Sequence, residues 1–437
     1  MKKFLGVLVS SASLISTAYA ADLLQVYQQA EINDARFLAA YHQRSISTLQ
    51  PALAKSARDF NVSFSANLDA QRDSISGGGN NNSDSYISER LTVSVSKTLY
   101  GKQSALAVDQ ASLQDQQAEL VLLANRQNLI LRVANAYFLL LGAQDNLELA
   151  TSEKIAIKRQ LELADERLNV GIGTQTDLFD AKARFQIAEA NEIDAGNLIE
   201  DARQNLIQII ASDPGDISKL AETAPLDLPM PDSAEIWVAN AMENNPSVLA
   251  QTLGFSIAQL EVESQLALRS PTLSLTASQS FSHTGGSALT NTSSSRDGSA
   301  VGVQLSMPIY LGGAISIRIE QAGLNANVQE QNLIEVKRQI TRNVRNVFND
   351  VVSGIKRVNA LKQAVVAGES AVEAKNEGFA AGLITNLDVL DAQRDLYQAQ
   401  RNYLRARYDF ILAVLSLEES SGMLDTDDVR HVNSWLE

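Results

Sequence analysis

The chain contains no cysteine. Disulfides and thiol chemistry are therefore excluded, and a lipid anchor on a first mature cysteine is not expected. Histidine is scarce: His42, His283 and His431 are scattered and match no metal-ligand spacing, so no metal site is expected. There is no glycine-rich phosphate loop ending in lysine, which leaves nucleotide hydrolysis to another protein. No catalytic residue and no cofactor are expected. No run of about twenty apolar residues occurs, so no transmembrane helix is expected. Basic charge is in deficit. With 36 Lys and Arg against 51 Asp and Glu, the formal net charge is −15, which argues against nucleic acid and anionic lipid surfaces as partners. Proline is missing from 101–212 and from 312–422, so both stretches are free to form long helices.

Residues 1–20 read as a secretory leader. Lys2 and Lys3 form a basic start, FLGVLVSSASLIS is a short apolar core, and Ala18-Tyr19-Ala20 is a cleavage site. Losing Lys2 and Lys3 takes the net charge from −15 to −17. The mature chain is expected to be exported.

What is present is a repeat. TQTDLFDAK (174–182) and TNLDVLDAQ (385–393) stand 211 positions apart. At the same offset QQAEINDARFLAA (28–40) meets ANAMENNPSVLAQ, and VANAYF (133–138) meets VRNVFN. The chain reads as one unit written twice, 21–212 and 233–422, followed by a C-terminal tail, 423–437. The joining segment 213–232 holds Pro214, Pro225, Pro229 and Pro231 and cannot be continuous helix. Each unit predicts a helix (22–57, 233–268), a β-hairpin (59–100, 271–311), a helix of about seventy residues, a Gly-containing turn and a last helix (175–212, 385–421). A seventy-residue helix is about 100 Å long and must lie along other helices in coiled-coil fashion.

The hairpins alternate. Phe60, Val62, Phe64, Ala66 and Leu68 interleave with Asn61, Ser63, Ser65 and Asn67; Val301, Val303 and Leu305 interleave with Gly302 and Gln304. Period two with one apolar face is a half-buried strand. Two settings fit: a soluble sandwich, or a membrane barrel with its apolar side outward. Strand length and the polar tips around 75–87 and 284–298 favour the barrel. Lys97, on the apolar face, favours the sandwich unless it snorkels at a membrane boundary. Four strands are too few to close a barrel, so closure would require a cyclic oligomer.

ADLLQVYQQA, SPTLSLTAS, VGVQLSMPIYLGGA and GLITNLDVLDAQRDLYQAQ, in that order and spacing, resemble the TolC-type outer-membrane efflux proteins. The resemblance covers nearly the whole mature chain. It implies an α+β fold in which three chains, four strands each, share one outer-membrane β-barrel. A coiled-coil periplasmic tunnel continues the barrel and closes at its far end like an iris. It also implies a homotrimer in outer-membrane lipid that exports proteins or small toxic molecules. The partners implied are a periplasmic membrane-fusion adaptor and an inner-membrane transporter, ABC-type or proton-driven. The hairpin tips would then be extracellular, with 171–176 and 382–387 at the periplasmic end. The competing readings are a periplasmic coiled-coil adaptor and a structural surface protein without a pore.

The acidic turns carry the candidate site. Thr174 with Asp177, and Thr385 with Asp388, resemble capping boxes in which Asp replaces Glu. Capping does not account for Asp180 or Asp391. Asp388 and Asp391 share one helix face, and the resemblance places the pore constriction, a cation-selective ring, at these two positions. Repulsion in such a ring raises the pKa of some members. The plain alternative is a solvated acidic face. In the family's closed state a Tyr and an Arg near the second turn tie it to a Thr and an Asp of the first. Thr176 and Asp177 match, but Phe379 and Ile384 stand where the Tyr and Arg are expected.

Overall fold

The computed structural model describes residues 20–77, 80–286 and 293–437. Most of the expected leader and the centres of both expected hairpin tips lie outside the described residues. The chain forms two compact units. One contains residues up to Ala39, Asn125–Asn245 and Ile340–Glu437; the other contains Ala40–Ala124 and Pro246–Gln339.

The elements follow the repeat. In the first copy come α1 (Leu23–Asn33), α2 (Ala35–Ser47), α3 (Gln50–Ser56), β1 (Asn61–Gly77), β2 (Asn80–Tyr100), α4 (Lys102–Asn169) and α5 (Gln175–Ile210). The second has α6 (Ala234–Asn244), α7 (Pro246–Ala267), β3 (Thr272–Thr284), β4 (Ser294–Ser306), α8 (Ala314–Ala380) and α9 (Asn386–Ser421), with α10 (Thr426–Asn433) after it. The proline-free stretches are helices of 68 and 67 residues.

The single opening helix expected over 22–57 is instead three. Its first break is at Asp34, which adopts φ −66° and ψ 115°. There its carboxylate accepts the Phe37 N–H at 2.7 Å and is gripped by both terminal nitrogens of Arg132, each at 2.8 Å. The span expected over 233–268 breaks at Asn245, 211 positions on, with φ −65° and ψ 121°. Helix exits match too. Ala211 after α5 and Gly422 after α9 are both left-handed, at φ 57° and 81°. Gly422 is obligatory on a second count, because a Cβ there would lie 2.5 Å from the Asn244 carbonyl oxygen.

In the first unit, burial repeats every seven residues. Ala143, Ala150, Ile157 and Ala164 are buried on α4, Ala181, Ala188, Ala195 and Ala202 on α5, and Val344, Val351 and Val358 on α8. A period of seven is the coiled-coil signature, and alanine at the seam lets helix axes approach closely. The largest fully buried side chains of this unit include Leu129, Tyr137, Leu140 and Leu141 of α4, Leu206 and Ile210 of α5 and Phe410 of α9.

In the second unit the four strands form one antiparallel sheet in the order β1-β2-β3-β4. Its apolar face is uncovered: Val62 is 67% exposed, Leu68 71% and Val301 79%. A sandwich would bury these side chains against a second sheet, so that alternative is removed. Lys97 sits at the helix-proximal end of the face. Its Nζ is 3.3 Å from an Asp59 oxygen and 4.2 Å from the Phe60 ring centre, which resolves the conflict its position raised.

The tail carries an unforeseen helix. Asp425 caps α10 through a capping box with Asp428, and strand-like bonds join Lys219 to Glu437 and Ala221 to Trp435. Glu418, near the end of α9, faces Asp428 and Asp425. Burial first, then Asp428, pushes its carboxyl up to about 8. Burial likewise raises Asp428 and Glu419. A raised carboxyl stabilises the fold while protonated, and that contribution is lost as pH climbs from about 4.5 through about 8. Docking of α10 is thus expected to loosen between pH 5 and 9, seen as faster proteolysis after residue 421. Glu418→Gln should flatten that dependence.

Candidate functional site

The end of α4 and the start of α5 lie close to the end of α8 and the start of α9, all in the first unit. Each turn has a glycine that needs a left-handed backbone, Gly171 at φ 81° and Gly382 at φ 75°. Each is followed by a threonine N-cap. Both capping boxes form: Thr174 Oγ1 accepts the Asp177 N–H at 3.1 Å, and Thr385 Oγ1 accepts the Asp388 N–H at 3.3 Å. Asp388 in turn accepts the Thr385 hydroxyl at 2.7 Å and the Thr385 N–H at 3.0 Å, and Lys375 of α8 lies 3.4 Å away.

These contacts set the charge of the turn. In one chain Asp388 moves down from the ordinary carboxylate value, first through the Thr385 hydroxyl, then the Thr385 N–H, then Lys375. That is opposite in direction to the repulsion expected within a ring of carboxylates. Asp391, one turn further along the same face, is held from both sides. Arg184 of α5 donates to it at 2.7 Å, and Arg394 lies 3.3 Å away while also pairing with Asp395 at 2.8 Å. The two candidate carboxylates therefore differ: one is a capped helix start beside a lysine, the other a bridge between the repeats.

Thr176 is exposed and Asp177 half-buried, and neither touches Phe379 or Ile384 in any described bond. Phe379 has a different partner. The Arg167 guanidinium lies 4.1 Å from its ring centre, and Arg167 Nη2 donates to the Phe379 carbonyl at 3.4 Å. Ile384 is half-buried against Gly378, where a Cβ would come within 3.4 Å of its side chain. A seam of Ile157, Ala164, Ala181, Ala188 and Leu390, flanked by Leu161 and Phe185, backs the turns.

Sequence reasoning missed Arg167, Arg184, Lys375 and Arg394. Only Arg394 had a local signal, three residues after Asp391. Arg184 stands four after Asp180 and reads as an ordinary intrahelical pair. Among the described residues no group of side chains suits a metal ion.

Comparisons with known proteins match this architecture. The family profile described as "Outer membrane efflux protein" covers residues 26–212 and 237–423, two segments at the same 211-residue offset as the capped turns. The outer membrane protein TolC of Vibrio cholerae is 33% identical, over 100% of this chain and 99% of that protein. The alkaline protease secretion protein AprF of Pseudomonas aeruginosa is 29% identical, over 95% of this chain and 87% of its own length. Among solved structures, the CmeC outer membrane channel of Campylobacter jejuni superimposes with a TM-score of 0.77 at 15% identity, covering 100% of this chain and 98% of that one. With both repeats matched and a full-length relative at this identity, the chain belongs to the outer membrane efflux protein family.

Proposed function

We propose that the chain is an outer-membrane channel for export, working as a homotrimer. The observation that carries this reading is the four-stranded sheet with a bare apolar face and two unpaired edges, β1 and β4. Lipid is the solvent that suits such a face, and hydrocarbon forbids an open edge. Three copies give twelve strands and pair every edge. The polar face then lines the channel. The cargo is protein or small toxic molecules, delivered by a periplasmic adaptor and an inner-membrane transporter. Exposed Val170, Ile172 and Phe179 at one turn, and Leu383 at the other, offer an adaptor's helical tips an apolar foothold.

The paired turns serve as the constriction and its latch, with the two aspartates in separate roles. Asp388, capped and ionised, supplies the cation-selective ring of the pore constriction. Asp391 with Arg184, and Phe379 with Arg167, clasp the first repeat to the second. They replace the contacts that Phe379 and Ile384, lacking hydroxyl and guanidinium, do not make with Thr176 and Asp177. A half-exposed ion pair contributes about 0.2–1 kcal/mol and an exposed cation–π contact about 0.5–1 kcal/mol. The clasp is therefore weak enough for partner binding to open it.

Mass measurement of the detergent-extracted protein should give three chains; a water-soluble monomer without detergent refutes the barrel. In planar bilayers, Asp388→Ala should weaken block by multivalent cations from the turn side several-fold. Arg184→Gln should instead raise the open fraction roughly threefold to fivefold, the ratio that about 0.6–1 kcal/mol sets. If both variants change block and leave opening untouched, the division of roles is wrong.

The pH response separates two influences on Asp388. With its folded value depressed below 3.8, the ionised form persists and its stabilising effect is lost only as pH falls through that value. Cation block should hold from pH 7 to about 4.5 and fade below about 4. Fading already between pH 6 and 5 means that repulsion between copies outweighs the Thr385 and Lys375 contacts.

A further inference from the structure

Strand register sorts the sheet's polar face into rows. Nearest the helices runs Asn61–Ser96–Thr276–Gly302, then Ser63–Ser94–Ser278–Ala300, then Ser65–Thr92–Ser280–Gly298. None of these twelve positions carries a charge, and no side chain among them is larger than asparagine. The next row is Asn67–Arg90–Ser282–Arg296. Two long cations thus stand beyond a floor of small neutral side chains. They lie two strand spacings apart, about 10 Å, with the Ser282 hydroxyl between them.

Neither arginine has an ion-pair partner among the described residues, whereas Arg132, Arg184 and Arg401 in the helices are each committed to a carboxylate. The neighbouring acids do not answer for them. Glu89 and Asp297 are adjacent in sequence but belong to the opposite, apolar face, in rows with Leu68 and Phe281. Asp69 shares the polar face one row further on, opposite Ser88. Across these two rows one carboxylate stands against two guanidiniums, a local positive surplus; the next acids in register on this face, Asp73 and Asp84, lie two rows beyond Asp69. In a chain of net charge −15, an unpaired basic row on a neutral floor is the reverse of the overall bias. A guanidinium presents a planar fork of donors that matches the two oxygens of a carboxylate or phosphate, and a serine hydroxyl adds a third donor.

We propose that Arg90, Ser282 and Arg296 form an oxyanion-binding row on the channel-facing side of the sheet, engaging carboxylate or phosphate groups of exported material. The inference rests on the barrel reading above, in which this face lines the channel. Three copies place six guanidiniums in one belt. Such a belt draws multivalent anions from the hairpin side and holds them in the lumen.

The test uses purified full-length trimers in planar bilayers. The absence of native cysteine makes Ser280→Cys a clean reporter of the face, read as a drop in current with a charged, membrane-impermeant thiol reagent. Tripolyphosphate and hexaglutamate are added separately on the hairpin side. At least one should block wild type reversibly, the phosphate arm and the carboxylate arm telling the two sources apart. Arg90→Gln with Arg296→Gln should raise the half-blocking concentration at least tenfold, with cation block from the turn side unchanged. Should the double variant fail to assemble, each single variant is expected to raise it at least threefold. If neither anion blocks wild type, or the variants are blocked like wild type while Ser280→Cys reacts, the oxyanion row is refuted and the barrel stands. If Ser280→Cys does not react, the channel-facing assignment falls, and the inference with it.

Discussion

A backbone N–H or C=O left without a partner in hydrocarbon costs several kcal/mol, and strands β1 and β4 each present a full row of them. That constraint governs the rest of the chain. With four strands, the sheet cannot satisfy its own edges, and the side chains of its apolar face, such as Val62, Leu68 and Val301, are exposed. Lysine at the helix-proximal end of that face is consistent with the same demand: Lys97 holds its ammonium over Phe60 and against Asp59 at the end of the apolar rows.

The two copies of the structural unit agree most closely at points of backbone specification. Asp34 and Asn245 both break a helix with nearly the same dihedral angles. Thr174 and Thr385 both open one with a closed capping box, and Ala211 and Gly422 both end one left-handed. Side-chain partners have diverged around these fixed points. Asp34 holds Arg132, whereas the Asn245 amide donates to the Ser420 carbonyl at 3.0 Å. The divergence is greatest at the turns, where Asp391 bridges to α5 and no described ion pair engages its counterpart Asp180.

Much of this was legible in the sequence because it is periodic or local. Period two in Phe60–Leu68 gave the strand and its face. The absence of proline gave helices whose observed ends fall within a residue or two of the expected ones. Thr174 and Thr385, each three residues before an aspartate, gave the capping boxes. What escaped depends on distant partners or on weak local signals. Arg184 meets Asp391 across 207 positions and Arg167 meets Phe379 across 212, so neither pairing leaves a trace in spacing. The break at Asp34 has no proline beside it, unlike Asn245-Pro246, and only the repeat offset marks it. Helix α10 has eight residues and buries only Val429 and Val432, too short a pattern to separate from a loop.

The proposed latch rests on the seam behind the paired turns. Its buried heptad positions on α4 and α5 are mostly alanine, and an alanine contributes far less on burial than a leucine or phenylalanine. Ile157 and Leu390, with Leu161 and Phe185 beside them, supply most of the seam's apolar area. The clasps laid over it are charge-based and partly solvated, so each contributes about 1 kcal/mol or less. Most of the largest fully buried side chains, Tyr137, Leu140, Leu141 and Phe410 among them, lie outside this seam, with Leu390 the exception. On the proposed latch, the Leu129–Leu141 segment of α4, several of whose large side chains are fully buried, stays fixed while the turns at Gly171 and Gly382 part when another protein binds.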